Sequence, residues 1–252
     1  MKPIIALSKI FARYKIYPID KYISQSPVRH FQHIYPENYF SSQIEIFLRE
    51  HIYKPVQRGA DLPWWGFEYF TNKSDRRVMV ISQDSLAGDA GSIVFWACLY
   101  SVLNPKDEYR KFIQELGFAF KGWETMWKQL CDWKIDLSFC YVTDASKVYK
   151  KNSWEDKDFD KQKSKELLEA EIEFCNPDLI ILLGAKPLYL LDRTKNYTFV
   201  VESGNPLLIK GKKCVVAPFL IGNGPVGNRH GMGFKKRLEI ASDLIVSMLS
   251  RV

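Results

Sequence analysis

The stretch Arg77–Phe95, RVMVISQDSLAGDAGSIVF, decides the fold. Its apolar run, Val78 to Ile81, is short, unbroken and rich in β-branched residues, the signature of a strand covered on both faces of a parallel sheet. The run ends abruptly in a polar, glycine-containing loop that carries an acid, Asp84. Sheets of this kind place their ligands beyond the carboxyl ends of the strands, so Asp84 stands where chemistry is expected.

Three further runs repeat the pattern: Leu137 to Thr143, Asp178 to Gly184 and Lys213 to Pro218. Helical segments separate them. Asn104-Pro105 opens one, with Tyr109, Phe112, Ile113 and Leu116 along one face and Gly117 at its end. Trp123, Met126, Trp127 and Leu130 mark another, and Leu168, Ile172 and Cys175 a third that stops at Asn176-Pro177. A final helix carries Phe234, Leu238, Ala241, Ile245 and Met248 at spacings of three and four, and an earlier one is expected over residues 39–50. Strands alternating with helices predict an α/β fold, a three-layer sandwich in which helices cover both faces of a central, mostly parallel four-stranded sheet. The 252 residues are read as one domain, residues 1–75 forming a helical N-terminal extension packed on it. Within it Tyr14, Tyr17, Tyr22 and Tyr35 suit core cover, whereas Pro63-Trp64-Trp65 suits either core or a binding rim. Lys147 to Asp160, charged and without an apolar stripe, reads as an exposed loop.

Composition removes several function classes. No apolar run approaches the roughly 18 residues of a membrane span, so no membrane partner is expected. Charges at Lys9 and Arg13 interrupt the apolar start of the chain and no small-residue cleavage site follows, which predicts a cytoplasmic, nuclear or nucleoid protein that is not secreted. The five cysteines, Cys98, Cys131, Cys140, Cys175 and Cys214, are scattered and never paired as CxxC, which argues against zinc or a disulfide framework. No GxGxxG, P-loop lysine or GxSxG elbow is present to support a nucleotide- or metabolite-handling enzyme. The net charge of +7, from 36 Lys plus Arg against 29 Asp plus Glu, suits a polyanion.

Four segments fall together on the expected rim: SQDSLAGDAGSIVF, YVTDASKVYK, LLGAKPLYLL and PFLIGNGPVGNRHG. Their order and spacing resemble the uracil-DNA glycosylase superfamily over about residues 77–249, a match of pattern with few identities. In that family a GQDPYH- or GINPG-type motif closes a strand, an aromatic follows, an asparagine ends the next strand, and a HPS or NPSG loop comes last. Here Gln83-Asp84 match the first motif, with Ser82 for its glycine and Ser85 for its proline.

The resemblance implies a role for each position. Asp84 would orient the attacking water and stabilise the positive charge that develops on the sugar. Phe95, eleven residues on, would stack on a base flipped from the strand, beside Gln83. Asp144 replaces the base-reading asparagine; an ionised carboxylate only accepts hydrogen bonds, so it disfavours uracil and suits an edge presenting N–H donors. Asn223, with His230 as an alternative donor, would steady the leaving base. Lys147, Arg229 and Lys235, with Lys150, Lys151 and Lys236, would contact phosphates. The implied activity is hydrolysis of a modified or mismatched base from single- or double-stranded DNA by a monomer that uses no cofactor and no metal. The alternative is a protein of the same fold that binds nucleic acid without catalysis. Read without the resemblance, Asp84 is a turn or helix cap and Asp144 a helix N-cap.

Overall fold

A computed structural model describes residues 63–66, 68–72, 76–83, 121–146, 153–155, 157, 159–220 and 232–250, together with helical positions Pro3, Ala6, Leu7, Ile10 and Arg13. The chain gathers into two compact units. One comprises residues 1–64, 84–120 and 146–174, the other residues 65–83, 121–145 and 175–252.

The second unit is built on the sheet. All four expected strands are present, as β2 (Val78–Ser82), β3 (Cys140–Asp144), β4 (Leu179–Leu183) and β6 (Lys212–Ala217). They run parallel in the order β3-β2-β4-β6. Val78, Val80 and Ser82 stand opposite Cys140, Val142 and Asp144, and Ile180 and Leu182 opposite Cys214 and Val216. Every residue of β2, β3 and β4 is buried. That burial is why Val78–Ile81, Cys140–Val142 and Leu179–Leu183 are unbroken apolar runs instead of alternating.

The expected count of four is too low. A short strand, β5 (Leu207–Ile209), returns antiparallel on β6, and a two-residue strand, β1 (Trp64–Trp65), stands at the other edge, beside β3. The sheet is therefore mixed, with a parallel centre. Next to β1, Gly66 N–H donates to Cys140 O at 2.8 Å and Glu68 N–H to Ser138 O at 3.1 Å. Trp65 is buried and stacks on Tyr141 with ring centroids 6.0 Å apart, so this tryptophan belongs to the core. At the amino end of the sheet the Arg77 amide donates to the Asp178 carboxylate at 2.9 Å and the Asp178 amide returns a bond to Arg77 O at 2.9 Å. This reciprocal pair sets the register of β2 against β4.

Helix α1 (Lys121–Asp132) buries Met126 and Leu130, as their spacing predicts. Trp133, just past its end, is fully buried and donates its indole N–H to Ser242 Oγ at 2.8 Å. Helix α2 (Lys161–Cys175) lies almost wholly in the first unit and buries Leu167, Leu168 and Ile172 on one stripe. Two seven-residue helices follow β4: α3 (Ala185–Leu191) and α4 (Tyr197–Ser203). Helix α3 packs on β4, and α4 packs on β6. The last helix, α5 (Phe234–Leu249), packs on β6 and α4 and buries Ala241 and Ile245 as expected.

In the first unit, the stretch read as an exposed loop contains a short 3-10 turn, Ser153–Glu155. Trp154 and Phe159 are buried there and meet edge to face at 5.2 Å. Two aromatics six positions from first to last lie too far apart to form a stripe, so the charges around them masked a small local core. The expected helices over residues 39–50 and from Asn104 to Gly117 lie outside the described residues. Among the described residues, no helix is long and apolar enough to cross a membrane.

Candidate functional site

Because β3, β2, β4 and β6 are parallel neighbours, their carboxyl ends share one rim. Four short segments leave it: Ser82-Gln83, Asp144-Ala145, Gly184-Ala185 and Pro218 to Leu220. All four belong to the second unit. They are the strand ends from which the four rim segments read in the sequence depart.

The first two ends are joined directly. Ser82 and Asp144 are register partners, and Ala145 N–H donates to Ser82 O at 2.9 Å, carrying the ladder one residue past the strands. Gln83 follows at intermediate exposure. Asp144 is 1% exposed, at the foot of the rim, and both residues interact with neighbouring groups. Thr143 and Ser82 are buried beside it, so a patch of hydroxyl and carboxyl groups closes the apolar strands. Buried polar groups persist where the surroundings satisfy them.

The other two ends are joined in the same way. Gly184 N–H donates to Ala217 O at 2.8 Å. Gly184 caps α3 with φ of 86°, a left-handed conformation in which side chains are strained. A Cβ at this position would also lie 3.3 Å from Cβ of Phe219. The glycine thus lets β4 turn into α3 while Phe219 sits close above it, at intermediate exposure on the rim. Pro218 and Leu220 on either side of Phe219 are buried.

Of the expected site residues, the structure brings Gln83 and Asp144 together at adjacent strand ends, through the pairing of Ser82 with Asp144. Lys235 is exposed in the first turn of α5. Lys236 beside it is exposed and forms an ion pair with Glu239 at 3.0 Å. Asp84, Phe95, Lys147, Asn223 and Arg229 lie outside the described residues, as do Lys150, Lys151 and His230.

Two residues that the sequence reading passed over stand out. Phe219 was hidden by its apolar neighbours in PFLIG. Arg237 was hidden by periodicity: the stripe through Leu238 predicts a solvated arginine, yet Arg237 is 3% exposed and Leu238 only half-buried. Arg237 Nε donates to Met232 O at 2.9 Å and Nη1 to the Tyr197 hydroxyl at 3.0 Å, with the guanidinium carbon 6.0 Å from the Tyr197 ring centre. Burial pushes the Tyr197 hydroxyl above its ordinary pKa, opposed by the charge and hydrogen bond of Arg237. Tyr197 therefore accepts from the arginine as a neutral phenol.

Among the described residues, no group of three His, Cys, Asp or Glu side chains is placed to hold a metal ion. No protein-family model matches the chain, and no curated protein matches it in sequence at a significant level.

Proposed function

We propose that the chain is a monofunctional DNA-base glycosylase of the uracil-DNA glycosylase type, a three-layer α/β protein that hydrolyses the bond between deoxyribose and a flipped base. The observation that carries this reading is the convergence of the strand ends: Ser82-Gln83, Asp144, Gly184 and Phe219 leave four adjacent parallel strands on a single rim. The segments that continue from those ends carry Asp84, Phe95, Asn223 and Arg229. An extruded base needs acid, ring and neutral donor from separate loops, and those residue types are present in the sequence of these segments.

Chemistry follows from the residue types. Cleavage of the glycosidic bond builds positive charge on the sugar, which the Asp84 carboxylate stabilises while it orients water toward the anomeric carbon. Asn223 donates to the departing base, Gln83 and Phe95 hold it, and Asp144 accepts from its N–H groups. Lys147, Arg229 and Lys235 contact phosphates and set position without reading sequence. An acceptor-only side chain at position 144 selects against the O4 edge of uracil and toward a base bearing an exocyclic amine.

One observation favours a second reading, a non-catalytic nucleic-acid binder. Asp144 is 1% exposed, and a carboxylate so withdrawn serves the strand end whether or not a base arrives. Oligonucleotides carrying uracil, cytosine, hypoxanthine or xanthine, single- and double-stranded, separate the two when treated with alkali after incubation. Strand breaks at one of these bases support the enzyme. Retention of DNA that weakens steeply with salt, without breaks, supports the binder.

A further inference from the structure

Phe219 and Lys186 follow the carboxyl ends of two adjacent strands, β6 and β4, and solvent reaches both. From Cys214 to Leu220, Phe219 is the one residue that is not buried. Among the described residues, no other aromatic ring pairs with it. Its seat depends on Gly184, where a Cβ would lie 3.3 Å from Phe219 Cβ and 3.9 Å from Cγ. The Gly184 amide also binds Ala217 O at 2.8 Å, so the backbone that carries the ring is tied to the neighbouring strand end two residues before it. Lys186 follows Gly184 by two residues, and chain length alone keeps its Cα within about 7 Å of the glycine's. Pro187, buried in the same turn of α3, has a fixed φ and no amide hydrogen for the helix start to leave unpaired. Among the described residues, no carboxylate pairs with Lys186, whereas Lys163, Lys165 and Lys236 each reach one within 3.8 Å. A partly open ring and an unpaired ammonium on a flexible stem offer the two contacts that an unpaired strand accepts, one to a base face and one to a phosphate.

We propose that Phe219 and Lys186 form a subsite for one nucleotide of a single-stranded nucleic acid, the ring stacking on its base and the ammonium meeting a phosphate. The subsite rests on the reading of this rim as a nucleic-acid site, and it serves the glycosylase and the non-catalytic binder alike. Every base has a π-face, so stacking adds affinity for unpaired strand without choosing the base. In a duplex the bases already stack on one another, and only the phosphate contact remains. The test is fluorescence anisotropy of the full chain with end-labelled oligothymidylate, an abasic strand of equal length and a duplex, each over a range of salt. The two contacts leave different signatures. Lys186→Gln weakens binding to all three and lowers the slope of log affinity against log salt by about 0.7 on the single strand, the loss of one phosphate contact. Phe219→Leu weakens oligothymidylate binding about tenfold at an unchanged slope and leaves the abasic strand and the duplex as they were, while Phe219→Trp retains the affinity. A wild-type slope in Lys186→Gln, or wild-type affinity of Phe219→Leu for oligothymidylate, overturns the subsite. An equal loss on the abasic strand in Phe219→Leu overturns it too, since that marks damage to the fold. Should Phe219→Leu fail to fold, the slope of Lys186→Gln, a change at an exposed side chain, decides alone. Alkali treatment tests the glycosylase separately: a wild type that binds and frees no base removes that reading and leaves the subsite to the binding data. A wild type that retains no single strand overturns both.

Discussion

Gly184 holds the rim together at a single residue, through its amide bond to Ala217 and its close approach to Phe219. Gly184→Ala meets both the strained φ of 86° and the Phe219 Cβ, and is expected to cost about 1–3 kcal/mol in urea unfolding. A loss below about 0.5 kcal/mol would mean that the turn relaxes freely. Cysteines give a second residue-scale test. Burial pushes the thiols of Cys140 and Cys214 well above the usual thiol range, and Cys175 is 1% exposed, whereas Cys131 is exposed. Partial burial and the neighbouring Asp132 raise Cys131 as well, yet reagent still reaches it. Among these four, a thiol reagent at pH 8 labels Cys131 in the native chain, and the other three only after denaturant is added. Asp160 is set by hydrogen bonding. Its carboxylate accepts from the Lys163 amide at 3.0 Å, and that bond foremost holds its pKa below the ordinary value. Because the folded pKa is the lower one, the cap contributes fully above the unfolded value near 4 and is lost as pH falls through the folded value. Asp160→Ala should cost about 0.5–1 kcal/mol at pH 7, and the gap from wild type should narrow toward pH 3. A gap equal at both pH values would contradict the cap.

At the scale of elements, what the sequence discloses depends on burial. β2, β3 and β4 were legible because strands covered on both faces carry unbroken apolar runs instead of alternating. β5 was not: three residues with Leu208 72% exposed leave no pattern to read. Helices α3 and α4 span seven residues each, too few for periodicity, although α4 carried a readable pair of signals in Asn196, which caps the Phe199 amide at 3.0 Å, and Gly204 in the left-handed conformation at its end. Of the rim, the ends of β2 and β3 were legible where their apolar runs stop, at Ser82 and at Thr143-Asp144. Phe219 and Arg237 were not, since their roles arise from neighbours distant in sequence. The hairpin between β5 and β6 makes a test of its own. Ile209 and Lys212 are partners across Lys210-Gly211, and Lys210 has φ of 51°. Such two-residue turns favour asparagine, so Lys210→Asn should recover part of the roughly 1–2 kcal/mol that a left-handed residue costs. Unchanged or lower stability in urea would show that lysine is already suited to the turn.

At the scale of the whole molecule, the proposed glycosylase reading joins two features, the charge of +7 and the rim at the carboxyl ends of the strands. On that reading charge would give retention and the rim chemistry, so the two should separate under mutation. The most direct measurement is base release under single-turnover conditions by wild type and Asp84→Asn, on oligonucleotides bearing an amine-containing base or uracil, with DNA retention measured in parallel. Wild type should release the amine-bearing base faster than uracil, and Asp84→Asn should retain DNA while losing release by at least about a hundredfold. Release that persists unchanged in Asp84→Asn, or a wild type that binds DNA and frees no base, would contradict the account.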